Sequence, residues 1–416
     1  MKLNPNSFAR RSVLAAALIT SAVPAFAASS DYLLGDWFGY RTDLAARGVT
    51  FDFSHTFDVY GNADGGDRYA TEYFGRQRFT ADVDLEKLVD WNGFSFHATG
   101  VSQYGPNYAA TRIGLYTTPS SIEGRETSRL GQIWVGWSSP SDRFSIKAGK
   151  LDGVAEFGLQ EYGSSFMNLE LAYVTNLTFA NGLPFDPAGK PGVVVEYSPF
   201  ATGAASGLYV KGGVFAGNDN DAYAHDQHGF NFEVRGPTVV AGEIGYRGEG
   251  VKGLPAVLKA GFHQNFGDWT DVRDGSIHDD NWLVYVNANQ TLFNLDETGS
   301  RHIDAGATVS VVPEDRNSAE LQITAMVRAV GPFAARPRDE LGLGVVTSRF
   351  SSDWAAASVA AGGPDYDRET TVELSYKAVL RPWLIVQPDL QYVFNPRGID
   401  EADDAFIVGL RTVINF

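Results

Sequence analysis

Apolar and polar side chains alternate with a period of two through much of the chain, and the pattern is cleanest at its end. Over 371–380, Val372, Leu374, Tyr376, Ala378 and Leu380 share one face, while Glu373, Ser375 and Lys377 share the other. Over 383–394, Leu384, Val386, Leu390, Tyr392 and Phe394 lie opposite Gln387, Asp389 and Gln391. The last residues set Phe406, Val408, Leu410, Thr412, Ile414 and Phe416 against Gly409, Arg411 and Asn415. Strand side chains point alternately to two faces, so each stretch predicts a strand with one apolar and one polar side. The stretch 49–60 reads the same way, with Val49, Phe51, Phe53, Phe57 and Val59 opposite Thr50, Asp52, Ser54, Thr56 and Asp58.

Further strands are predicted near 76–86, 94–104, 130–138, 143–150, 193–198, 208–216, 239–247 and 256–266. Others fall near 282–292, 302–312, 320–329 and 340–349. The total is about sixteen, within the even counts of outer-membrane barrels. The run 230–234 is also strand-like and is assigned to a loop, because counting it makes the number odd. Connections tend to alternate in length: 61–75, 105–129, 151–192 and 351–369 are long, whereas 87–93, 139–142 and 381–382 are short. In such barrels short turns face the periplasm and long loops face outward, which puts both termini in the periplasm.

The start of the chain decides which side of each strand is wet. Residues 1–11 carry Lys2, Arg10 and Arg11, 12–26 is an apolar run, and Ala25-Phe26-Ala27 supplies small residues at a cleavage position. This layout predicts a signal peptide at 1–27, removed from the exported protein. Arg10-Arg11 also suits the twin-arginine route, but two ordinary basic residues are the simpler reading. No other apolar run is long enough for a spanning helix. In lipid every backbone N–H and C=O needs an internal partner, so a chain without such helices crosses as a closed barrel. The fold expected is all-β: a transmembrane antiparallel β-barrel of about 16 strands over 49–416. A periplasmic segment, 28–48, precedes it, with a short helix over 33–47 that ends at Gly48. Apolar faces then meet lipid and polar faces line a water-filled lumen.

Composition limits the partners. A formal charge of −17 argues against nucleic acid, which is bound by basic patches. There are no cysteines, so no disulfide holds the exported chain. Gly at 45 and aromatics at 13% suit many turns and interfacial girdles. No cofactor and no metal are expected: Gly-x-Ser-x-Gly, phosphate-loop and Cys/His ligand spacings are absent. His225 and His228 lie near Asp219, Asp221 and Asp226, where a solvated acidic loop is preferred to a metal site. A lipase would need a serine matched to a lipid-facing histidine, and His55 has none, so no enzyme is expected. The roughly twenty residues before the first strand are too few for a plug domain.

Several motifs carry a family likeness. They are Gly35-Asp36-Trp37-Phe38-Gly39-Tyr40-Arg41, Leu130-Gly131-Gln132-Ile133-Trp134, Lys147-Ala148-Gly149-Lys150-Leu151-Asp152 and Phe166-Met167-Asn168. Near the end come Pro382-Trp383-Leu384, Gln387-Pro388-Asp389-Leu390-Gln391-Tyr392 and Gly409-Leu410-Arg411, with terminal Phe416. In these the chain resembles the carbohydrate-selective porins of Gram-negative outer membranes. The resemblance implies a sixteen-stranded outer-membrane barrel that passes small sugars, with loops folded inward as a constriction. A general diffusion porin is the alternative.

A sugar-selective pore needs hydrogen-bonding side chains for hydroxyls and aromatic faces for C–H surfaces. Strand parity places Arg76 and Arg78 in the lumen, opposite Phe79, Ala81, Val83 and Leu85. Lys147 points inward if Phe144, Ile146 and Ala148 face lipid, and Trp134 if Ile133, Val135 and Trp137 do. An interfacial girdle is the other reading of Trp134. Lys150 and Asp152 open the longest loop, 151–192, the candidate constriction, which also brings Glu156, Glu161, Tyr162, Asn168, Glu170, Tyr173 and Asn176. Phe416, with Ile414 and Leu410 on its face, suits the strand end read by barrel-assembly machinery. Expected partners are mono- or small oligosaccharides, outer-membrane lipid and lipopolysaccharide, with a monomer or a homotrimer as the assembly.

Overall fold

The computed structural model describes residues 31–173, 182–217 and 225–416; the expected signal peptide and Asn176, Asp219 and Asp221 lie outside the described residues. Sixteen antiparallel strands close into one barrel. The wall begins with β1 (Val49–Asp64), β2 (Thr71–Asp84), β3 (Phe94–Tyr104), β4 (Thr127–Ser138) and β5 (Phe144–Leu151). It continues with β6 (Lys190–Tyr197), β7 (Leu208–Ala216), β8 (Thr238–Glu249) and β9 (Pro255–Asn265). A separate ribbon of β10 (Trp269–Thr270) and β11 (Ile277–His278) comes next. The wall resumes with β12 (Asn281–Asn294), β13 (His302–Val311), β14 (Ala319–Val330) and β15 (Glu340–Phe350). It ends with β16 (Arg368–Arg381), β17 (Leu384–Phe394) and β18 (Ala405–Asn415). The first and last strands close the seam, with Ser54 opposite Asn415 and Asp64 opposite Phe406. Every wall strand expected from the alternation is present, and 230–234 forms no strand.

The two faces divide as the alternation requires. On β12, Val284 and Val286 are exposed on the outer face, while Asn287 and Asn289 are buried on the inner one. On β16, Leu374 is exposed and its neighbours Glu373 and Ser375 are fully buried. Closure pairs the backbone of each strand on both sides, which is what allows it to stand in lipid.

The lumen is drier than its polar lining suggests. Phe157, Leu183, Phe215, Val239, Leu283 and Tyr285 form part of one apolar cluster inside the barrel. Tyr60, Phe74, Tyr108, Ile113, Val393 and Ile407 form part of a second. Both exist because the long loops at one end of the barrel descend into it and pack against the wall, so inner residues near that end are apolar.

The N-terminal helix is shorter than expected, Tyr40–Ala46 after a 3-10 turn at Trp37–Gly39. Gly35, Trp37, Phe38 and Gly39 all have positive φ, which an α-helix excludes. Arg41 organises the bend: its guanidinium lies 3.6 Å from the Tyr32 ring and 4.2 Å from the Trp37 ring. It also donates to the carbonyls of Phe51 at 2.9 Å and Phe416 at 2.8 Å, stitching the segment to the β1–β18 seam.

Candidate functional site

The loop between β5 and β6 turns into the lumen as soon as it leaves the wall. The Asp152 carboxylate accepts from the Ala155 amide at 3.0 Å and caps the short helix Gly153–Phe157. Phe157 then drops into the first apolar cluster. From there the loop tracks the wall. Lys259 of β9 donates to the Leu159 carbonyl at 3.1 Å. Gln160 accepts from Thr308 of β13 at 3.0 Å and donates to Thr324 of β14 at 3.1 Å. Ser165 accepts from Arg328 of β14 at 3.1 Å and donates to Glu340 of β15. The Met167 and Asn168 amides donate to Glu373 of β16 at 2.6 and 3.0 Å. At the returning end, Asp186 meets Arg76 and Arg78 of β2 at 3.0 and 2.5 Å.

A second inserted loop joins it, between β3 and β4. Its Ser120 hydroxyl donates to Asp58 at 2.6 Å, and its Pro119 carbonyl accepts from Tyr60 at 2.9 Å and Gln391 at 2.8 Å. The two loops also bond to each other: Ser121 N–H donates to the Met167 carbonyl and Leu169 N–H to the Thr118 carbonyl. Only the longer loop was expected to fold inward. Tyr108, Ile113, Leu115 and Ile122 were the available signal, since a solvated loop has no use for so many large apolar side chains.

From β2 to β9 the wall is basic and holds acidic side chains of the loop, whereas β15 and β16 hold it through Glu340 and Glu373. Lys147 and Lys211 approach Glu156 at 2.7 and 3.6 Å, and Lys259 approaches Glu161 at 2.6 Å. Burial works to raise the Glu156 carboxyl, but Lys147 and Lys211 outweigh it and hold the group down at about 2. Asp186 is likewise held low by Arg78 and Arg76 despite its burial. Asp152 goes the other way: burial, then the neighbouring Asp186 carboxylate, push it up to about 7.

Most of the residues expected at the pore, from strand parity or from the inserted loop, come together here. Arg76, Arg78, Asp152 and Glu156 line the joint between wall and loop, with Lys147 placed 5.0 Å over the Trp134 ring. Trp134 points inward, stacked on His97 at 4.9 Å and packed against the first apolar cluster, so the girdle reading of it falls. Arg78 keeps 29% of its side chain exposed and Arg76 keeps 12%, so Arg78 presents the more open donor.

Asn168 is inside the barrel but has no free surface: it donates to Gln391 at 3.1 Å and caps the Leu169–Ala172 turn. It pins the loop to β17. Lys150 is a correction. Three residues from Lys147, it falls on the opposite face of β5 and is fully buried beneath the β7–β8 loop. There it bonds to Asp226 at 2.5 Å and to the Gly229 and Asn231 carbonyls at 2.7 and 3.0 Å. The same contacts commit the Asp226 carboxylate to Lys150 and Arg129.

A closed sixteen-stranded barrel, with loops folded into its lumen as a charged constriction, defines a porin-type channel. The chain belongs to the OprB family of carbohydrate-selective porins, whose model matches residues 68–416. It is 26% identical to Porin B of Pseudomonas aeruginosa, covering 94% of this chain and 92% of that protein. It is 28% identical to a putative porin, QuiX, of Acinetobacter baylyi, covering 92% and 93%. The high-pH structure of Pseudomonas putida OprB superposes with a TM-score of 0.86 at 23% identity, over 94% of this chain and 100% of that one. Its low-pH structure superposes with a TM-score of 0.60 at 18% identity, over the same shares. Family and fold make the chain a multi-pass channel of the Gram-negative outer membrane and not an enzyme.

Proposed function

We propose that the channel lets mono- and small oligosaccharides diffuse passively across the outer membrane, binding them weakly at the constriction. The observation that carries this reading is the convergence of two wall guanidiniums, Arg76 and Arg78, on one loop carboxylate, Asp186. A neutral sugar offers vicinal hydroxyls, which both donate and accept, and apolar C–H faces. Forked guanidinium donors, carboxylate acceptors and the inward Trp134 ring answer each in turn. Binding must stay weak, because a site that holds its solute does not conduct.

A general diffusion porin of the same architecture would sort solutes by size alone. Liposome swelling separates the two readings. Glucose and its reduced form, the sugar alcohol glucitol, have nearly equal size. A sugar-binding channel is expected to pass glucose several-fold faster than the less complementary sugar alcohols of the same carbon number. Rates that follow molecular mass alone across such a panel would contradict the selective site.

A further inference from the structure

We propose a second saccharide site on the extracellular rim, where sugars are captured before they reach the constriction; it rests on the reading of this chain as a sugar channel. At the top of β15 the chain passes Phe350 and turns into the helix Ser352–Ala360, capped by the Ser351 hydroxyl, which accepts from the Trp354 amide at 3.1 Å. It returns through Tyr366 to β16. Between this helix and the tops of β14 and β15 lies an open cleft of about 840 Å³.

The cleft has three kinds of wall. Ala355 and Ala356 give the helix side small side chains, which is why space remains there. Tyr366 stacks on Phe350 with ring centres 5.3 Å apart and planes 25° apart, giving an aromatic wall. The rim carries Arg349, paired with Glu320 at 2.7 Å, and the exposed carboxylates of Asp365 and Asp367. Phe350 also meets Tyr116 edge-on at 5.0 Å, and Tyr116 belongs to the loop inserted between β3 and β4. The cleft therefore abuts a loop that narrows the channel.

This chemistry selects a neutral saccharide. An aromatic face takes the C–H side of a pyranose, and a forked guanidinium beside carboxylates takes adjacent hydroxyls. Glu320, Asp365 and Asp367 outnumber Arg349 and Arg368, which pair with Glu320 at 2.7 Å and Asp367 at 3.0 Å, so the rim is net acidic and disfavours an anionic ligand, including a lipopolysaccharide phosphate. The ligand is a free neutral sugar arriving from outside.

The test uses the full chain in planar bilayers made without lipopolysaccharide, with D-glucose added to one side at a time. Tyr366→Ala is expected to slow the onset of current block roughly fivefold for extracellular glucose, on the scale of one lost aromatic contact. The onset of block from the periplasmic side should not change, and release towards the outside should slow by the same factor, because the affinity of the constriction itself is unaltered. A second readout is saturation transfer from the solubilised protein to glucose, recorded in an Arg76→Ala, Arg78→Ala background. The signal should persist there and be lost when Tyr366→Ala is added. Equal onset from both sides together with an unchanged transfer signal in Tyr366→Ala overturns the rim site. A transfer signal that appears only when lipopolysaccharide is restored overturns the free-sugar assignment. If glucose blocks from neither side, the sugar-channel reading fails by itself, and the transfer signal alone decides the rim.

Discussion

Replacing Arg76 and Arg78 together by alanine is expected to weaken sugar block about tenfold and to shift ion preference towards cations. Hydrogen bonds to charged groups contribute roughly 1.5–3 kcal/mol each. In a hydrated pore the lower end applies, and about 1.4 kcal/mol already corresponds to tenfold in affinity. The ion effect has two sources. Two positive charges leave the lumen, and Asp186, whose carboxylate accepts from both arginines, is left without either. Adding Asp186→Asn to the double variant should return ion preference towards the wild type without restoring sugar block. Single-channel recordings with and without glucose read both properties. Wild-type block and selectivity in the double variant would remove these arginines from the site and leave the porin fold untouched.

Deleting Phe416, or replacing it by aspartate, is expected to lower the yield of folded barrel several-fold while leaving the conductance of the survivors unchanged. The residue sits where the barrel closes. Its N–H donates to the Phe53 carbonyl at 2.9 Å, its ring lies 5.0 Å from that of Phe53, and its own carbonyl accepts from Arg41. The deletion thus removes one rung of the β1–β18 seam, an aromatic contact and one of the anchors of the N-terminal segment. We propose that it also removes the strand end recognised by the assembly machinery. The contacts of Phe416 are with Phe53 and Arg41 and not with the side chains of the constriction, so surviving channels should conduct normally. Heat-modifiability on gels measures the folded fraction. Wild-type amounts of folded barrel in the deletion would show that closure does not depend on this end.

The wall was legible in the sequence because its cause is local. A strand between lipid and water must alternate, and the alternation of Glu373, Ser375 and Lys377 with Leu374 and Tyr376 survives intact in β16. The same parity placed Arg76, Arg78, Lys147 and Trp134 inside. Parity from Lys147 already puts Lys150 on the other face; in sequence it reads with the loop that it opens, and no local pattern announces that Asp226, in a loop nearly eighty residues further on, covers it. The second inserted loop was missed for a related reason. Long connections were read as extracellular surface, whereas Tyr116 and Thr117 fold back to bond Glu369, some 250 residues away. The N-terminal helix was overextended because composition there suits a helix, while the Tyr32–Arg41–Trp37 stack imposes a bend.

The weak sugar site at the constriction is tested most directly by single-channel current through the wild-type protein as D-glucose is raised on both sides. A binding site predicts that current falls along a saturating curve, with half-block at concentrations on the order of millimolar to tens of millimolar, as befits a site that must release its solute. Excess current noise from binding and release should rise and then fall along the same curve. A decline that is linear in glucose, without excess noise, and equal to that caused by a non-sugar solute of the same viscosity would contradict the site.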